Sequence, residues 1–111
     1  TDPKRICIGI IETETKKLLG ICCALSIVDE LHITSLAIDP FHQRKGLGKL
    51  LLMDLIKRSH SLQTKCIHLE VKETNFPAKA FYKYMGFKVM GNRSNFYKDG
   101  SDALILAKKL T

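Results

Sequence analysis

The chain has 111 residues, 45% of them hydrophobic and 26% charged, with 18 Lys and Arg against 11 Asp and Glu for a net charge of +7. That is enough for one domain with its own core, and too apolar for a disordered basic tail. No apolar run approaches the roughly 20 residues that span a bilayer, and 7 Gly and 3 Pro exclude collagen-like and low-complexity classes.

The sequence opens at Thr1 and enters strand-like residues almost at once, which reads as part of a larger fold. Ile6 to Ile11 is β-branched and apolar, a strand; Lys16-Lys17 is a polar turn, and Leu18 to Val28 a second strand. Asp29-Glu30 turns into a third strand, Leu31 to Ile38, so the three runs predict an antiparallel meander. Asp39-Pro40 stops it, because Pro cannot continue a ladder and pushes its predecessor to extended geometry. From Gly46 the period becomes helical: Leu47, Leu51 and Leu55, flanked by Leu52 and Ile56, repeat through about His60. Cys66 to Val71 is a buried strand. Asn75 then caps a helix with Pro77 at its first position, and Gly86 ends it. Phe87 to Met90 is a strand, Asn92 to Asp99 is polar and aromatic, Asp99-Gly100 signals a hairpin turn, and Ala103 to Ala107 is the last strand. The order β-β-β-α-β-α-β-β predicts a mixed α/β domain of the α+β type on one sheet.

Cys7, Cys22, Cys23 and Cys66 lie in apolar runs without a Cys-x-x-Cys pair, so no disulfide framework is expected and the compartment reads as reducing, the cytoplasm. His32, His42, His60 and His68 are scattered without metal-ligand spacing, and no metal is expected. The positive charge forms no arm. It is spread along the chain, with a local concentration at Arg44, Lys45 and Lys49. It reads either as a solvated surface or as attraction to a polyanion; direct nucleic-acid binding lacks the interleaved aromatic-basic surface it would need.

The most informative segment is Ile38 to Leu52, in which a strand ends, a basic turn follows and a helix begins at once. Such a turn presents backbone N–H groups at a helix N-terminus, where orphan donors and the dipole favour an anion. Gly46 and Gly48 allow close approach, and Arg44, Lys45 and Lys49 add charge-assisted contacts. The segment is neither a Walker P-loop nor a Rossmann fingerprint. Taken alone, it can also be read as a helix start with ordinary close packing.

Gln43-Arg44-Lys45-Gly46-Leu47-Gly48 resembles the Gln/Arg-x-x-Gly-x-Gly/Ala motif of the GNAT superfamily of acyl-CoA N-acyltransferases, in which this loop holds the pyrophosphate of coenzyme A. Leu69 to Phe87, with the form LEV-x-x-x-N-x-x-A-x-x-x-Y-x-x-x-GF, is similar to a second GNAT signature. Asn95 to Ala103 (NFYKDGSDA) most resembles the RimI branch, whose members acetylate the N-terminal alanine of a small-subunit ribosomal protein.

The resemblance implies a GNAT fold over residues 1–111, a mixed and mostly antiparallel sheet flanked by helices, with acetyl-CoA as acetyl donor and no metal. It implies Glu70 as general base and Tyr82 as general acid. Leu36, Ala37 and Ile38 would be the splayed strand that binds pantetheine, Gln43 to Lys49 the pyrophosphate loop, Asn75 a cofactor contact and Tyr97 a substrate contact. A carboxylate in a partly desolvated cleft can be tuned to roughly 6–7, which suits a base acting on an α-amine that titrates near ~8. The residues leave other readings open: Glu70 as a solvent-facing strand residue beside Lys72, Tyr82 as a core aromatic like Phe81, Asn75 as a cap alone. GNAT domains usually begin with a strand and two helices that have no counterpart here, so the resemblance implies an N-terminally incomplete domain with its cofactor half intact. A protein N-terminus is the implied acceptor. A small-molecule amine, a lysine side chain, or a coenzyme A-binding module without turnover are the alternatives.

Overall fold

The computed structural model describes residues 3–110. Six strands form one sheet in the order β1-β2-β3-β4-β6-β5. The strands are β1 (Lys4–Ile11), β2 (Leu18–Ile27), β3 (Glu30–Ile38), β4 (Cys66–Lys72), β5 (Lys88–Arg93) and β6 (Ala103–Lys109); the helices are α1 (Leu47–Ser61) and α2 (Phe76–Tyr84). The expected meander is present, β1-β2-β3 being antiparallel throughout. β4 joins β3 in parallel through the crossover helix α1, and β6 pairs antiparallel with both β4 and β5. The sheet is thus mixed and mostly antiparallel.

Alternation sets the two faces. Cys22, Ala24, Leu31, Ile33, Ile67, Leu69, Val71 and Leu106 are buried on one of them, in one cluster with Leu51, Leu52 and Leu55 of α1 and Tyr82 of α2. Each fully buried leucine contributes about 1.5–3 kcal/mol of apolar burial. α1 can lie close to β2 because Gly20 has no side chain: a Cβ there would sit 2.6 Å from Ile38 Cδ1 and 3.1 Å from Leu51 Cδ1. α2 begins and ends largely as its sequence predicts. The Asn75 side chain accepts a hydrogen bond from the Ala78 N–H at 3.2 Å, and Gly86 takes the left-handed φ of +93° that stops the helix. Pro77 occupies the second helical position rather than the first, since Phe76 is already helical.

Four sequence expectations need correction. Val28 belongs to the β2–β3 turn, with φ of 55°, and Glu30 opens β3 rather than closing that turn. A short 3-10 turn, Pro40–His42, separates β3 from the basic loop. β5 runs on to Arg93, because Asn92 and Arg93 pair with Leu104 and Ala103. Cys7 and Cys23, expected as separate thiols, are direct partners on β1 and β2 with Cα atoms 4.2 Å apart and are joined as a disulfide, leaving Cys22 and Cys66 free. Strand register brings them together, and register is not visible in residue spacing.

Candidate active site

The sheet opens where β3 meets β4. The two strands pair only at Glu30 with Cys66, Leu31 with Ile67 and His32 with His68. Just beyond, β3 carries a bulge: Cys23 of β2 lies opposite Ser35 and Ala24 opposite Ile33, so Thr34 is the extra residue, its hydroxyl donating to the Cys23 carbonyl at 3.2 Å. A bulge bends its strand and ends regular pairing. β3 therefore turns away from β4, and its backbone N–H and C=O groups on that side have no β4 partner.

The resulting cleft, about 260 Å³, is lined by Ile33 to Leu36 on one wall and Leu69 to Lys72 on the other, with Asn75, Ala78, Tyr82 and Tyr97 completing it. It gathers five of the residues singled out from sequence: Leu36, Glu70, Asn75, Tyr82 and Tyr97. Ala37 and Ile38 lie past it, carrying β3 to the basic loop.

Tyr82 projects from α2 into the packed face and is 7% exposed, edge-on to Phe81 and Phe87 at 5.1 and 5.4 Å. Burial, with a smaller contribution from Cys22, pushes its phenol up to about 12, so it is protonated at neutral pH. Among the described residues no group hydrogen-bonds its hydroxyl. Glu70 points to the opposite face, 19% exposed, where it is hydrogen-bonded to His32 at 2.6 Å and lies 4.0 Å from the Arg93 guanidinium. The cleft thus has a carboxylate on one side of the sheet and a phenol on the other. Asn75 uses its side-chain oxygen as the cap and keeps its NH2 free to donate. Tyr97 is held by the β5–β6 connection, where its N–H donates to the Ser101 carbonyl and the Lys72 ammonium lies 5.7 Å from its ring. Lys72 pairs with Asp99 rather than flanking Glu70; that ion pair and the Ser101 hydrogen bonds hold the Asp99 carboxyl well below the usual carboxylate range.

The basic loop lies at the far end of β3. Its root is pinned: Asp39 donates its N–H to the Leu19 carbonyl, and its carboxylate accepts from His42 Nδ1 at 2.6 Å and faces Lys17 at 3.7 Å. The His42 hydrogen bond, with Lys17 behind it, holds the Asp39 carboxyl below its ordinary value. Gln43 donates from its amide to the Ile38 carbonyl at 3.3 Å. Arg44 and Gly46 both take left-handed φ, 66° and 78°, and Gly46 is the N-cap of α1. Only Gly takes that conformation without steric cost.

α1 has no side-chain cap and no acidic residue in its first turn, and its first bond runs from the Leu50 N–H to the Gly46 carbonyl. The N–H groups of Leu47, Gly48 and Lys49 therefore have no partner within the helix. Nothing lies within 4 Å of where a Gly46 Cβ would be, whereas Gly48 backs onto the Phe81 ring. Lys45 is exposed beside the loop, as is Arg44, while the Lys49 ammonium donates to the Tyr84 hydroxyl at 3.2 Å and so is partly committed to α2. An uncapped helix end with surrounding cations fits a diphosphate.

Sequence reasoning missed His32, Thr34, Ser35 and Arg93. The break in alternation at Thr34-Ser35 was the available signal for the bulge; the parallel register that sets His32 beside Glu70 leaves none. Among the described residues there is no cluster that could hold a metal and no helix long and apolar enough to cross a membrane.

Comparison with known proteins shows the family and the fold. Residues 1–87 match the Acetyltransferase (GNAT) family. The chain is 35% identical over 98 residues to the [ribosomal protein bS18]-alanine N-acetyltransferase of Escherichia coli strain K12, covering 86% of this chain and 66% of that one. Its fold superposes with a TM-score of 0.88 and 30% identity on the crystal structure of the ribosomal-protein-S18-alanine N-acetyltransferase from Escherichia coli, over 96% of this chain and 70% of that one. An acetyltransferase of Bacillus subtilis solved in complex with CoA shares the fold, with a TM-score of 0.84 and 20% identity over 95% of this chain and 76% of that one. The chain thus spans about two thirds of the length of its curated E. coli relative. It belongs to the GNAT acetyltransferase family.

Proposed function

We propose that this chain carries the site of an acetyl-CoA-dependent N-acetyltransferase acting on a protein N-terminal α-amine, of the class that begins with alanine on a ribosomal protein. The observation that carries the reading is the parting of β3 from β4 beyond His32 and His68, with Glu70 and Tyr82 on opposite sides of the gap and an uncapped basic helix end beyond it. The E. coli relatives, named for that ribosomal protein, support the acceptor class.

The residues divide the work. The N–H groups of Leu47, Gly48 and Lys49, the Gln43–Gly46 turn and the Arg44 and Lys45 side chains hold the pyrophosphate. Unpaired backbone along Ile33 to Ile38 takes the pantetheine amides as a substitute β-strand, and a β3 N–H polarises the thioester carbonyl. Asn75 donates to the cofactor. Glu70 takes a proton from the acceptor ammonium, and the freed amine attacks the thioester carbonyl to form the C–N bond. As the C–S bond breaks, Tyr82 gives its proton to the departing thiolate, and the second proton on the nitrogen returns to the Tyr82 oxygen. Tyr97, at the cleft mouth, contacts the incoming peptide. An α-amine titrates near ~8, well below lysine at ~10.4, so one carboxylate suffices as base. We place the reaction on a single domain that includes residues 1–111.

The test is transfer of isotope from labelled acetyl-CoA by the full chain to a panel comprising an alanine-starting peptide, an internal-lysine peptide and a polyamine. Preferential labelling of the peptide N-terminus is expected. Labelling of the lysine or polyamine instead would assign a different acceptor, and tight coenzyme A binding without any transfer would assign a binding module.

A further inference from the structure

Glu70 is gripped from outside the cleft. His32 Nε2 lies 2.6 Å from Glu70 Oε2; a carboxylate only accepts, so the ring nitrogen donates, and a charge-assisted bond of this length is of the strong class. The second oxygen is differently placed. Arg93 Nη2 stands 4.0 Å from Oε1, beyond hydrogen-bond reach, which leaves Oε1 for a proton from the cleft.

The imidazole is itself fixed. It stacks on His68 with ring centroids 4.7 Å apart and planes 8° from parallel, and burial together with the neighbouring His32 holds the His68 imidazole below its ordinary value. His32 and His68 are also the last paired residues before β3 bends away, so the ring stands on the last rigid rung beside the opening. Glu70 follows His68 by two residues and shares its face. On β2, Leu25 is the residue opposite His32.

We propose that His32 is a positioning residue for the proton-accepting carboxylate: its Nε2–H locks Oε2, so that Oε1 is the oxygen presented to the attacking amine. The proposal rests on the reading of Glu70 as general base given above. His32 does not line the cleft, and it acts through Glu70 alone.

The donor is the active feature, which separates this role from packing. Glutamine carries an N–H at nearly the reach of histidine Nε2, whereas asparagine falls short and alanine has none. Steady-state rates of acetyl transfer to an alanine-starting peptide are measured for the full chain and for His32→Ala, His32→Asn, His32→Gln, Glu70→Gln and the His32→Ala/Glu70→Gln pair. For His32→Ala and His32→Asn, kcat is expected to fall about tenfold to a hundredfold, the cost of a misplaced reacting group, with KM for acetyl-CoA within about twofold. His32→Gln recovers most of the rate, and adding His32→Ala to Glu70→Gln slows it no further.

Three results overturn the proposal. Unchanged kcat in His32→Ala while Glu70→Gln is slow would leave the histidine as packing only. Equal loss in the Gln and Asn variants would do the same, even if the alanine variant does not fold. Full activity in Glu70→Gln would remove the general-base reading itself.

Discussion

Replacing Tyr82 with phenylalanine removes one oxygen from the cleft and nothing from the core. The ring is 7% exposed and packs edge-on to Phe81 and Phe87, contacts that phenylalanine keeps. Since no described group hydrogen-bonds the hydroxyl, no buried partner is stranded, and the stability change is expected to stay below about 1 kcal/mol. Truncation to alanine would instead cost about 3–5 kcal/mol, so it cannot test chemistry. A general acid contributes about 10²–10⁴-fold; at 1.36 kcal/mol per factor of ten, Tyr82→Phe should raise the barrier by about 3–5 kcal/mol. The assay is kcat for acetyl transfer to an alanine-starting peptide, with a thermal melt of the same preparation. With the phenol pushed up to about 12, the wild-type rate should show no loss from Tyr82 ionisation between pH 7 and 9. Near-wild-type kcat in Tyr82→Phe would refute the acid role and leave Tyr82 a core aromatic. A fall in rate matched by a collapse in melting temperature would refute the claim that the hydroxyl alone was removed.

Three further predictions follow from other parts of the fold. Removing Arg44 and Lys45 together should weaken coenzyme A binding by about tenfold or more, with a shallower salt dependence by titration calorimetry, because two charge-assisted phosphate contacts are lost without any core change. His68 has a folded-state pKa below its unfolded value, so the stability it contributes is present above about pH 6.5 and is lost as the pH falls through the folded value; urea melts of His68→Gln should lose less stability than wild type between pH 7.5 and 5. Leu55, fully buried under the sheet, should cost about 2–5 kcal/mol when cut to alanine, read as a lower urea midpoint at unchanged slope.

Sequence carried local features well. Strand and helix order follow from apolar periodicity, and the α2 boundaries follow from Asn75 and Gly86, because caps are local chemistry. The Gln43 to Gly48 loop before α1 was legible for the same reason: a glycine at a helix start is local chemistry. What escaped was non-local. The parallel register of β3 on β4 decides that His32 meets Glu70, and the β1–β2 register decides that Cys7 meets Cys23. Neither pairing leaves a trace in spacing. Glu70 and Tyr82 were singled out only through resemblance, and both line the cleft; strand alternation alone puts Glu70 on an open face and the helical period puts Tyr82 in the core. Both placements are right. The bulge at Thr34 opens the sheet beside β4, and so brings both to one cleft.

On the proposed reading, the β3–β4 gap and the α1 N-terminus together receive acetyl-CoA. Amide hydrogen exchange of the full chain with and without acetyl-CoA tests it most directly. Slowed exchange is expected in two segments at once, Ile33 to Ile38 and Arg44 to Lys49, with β1 unchanged. Binding that protects neither segment, or protects only residues outside them, would contradict it.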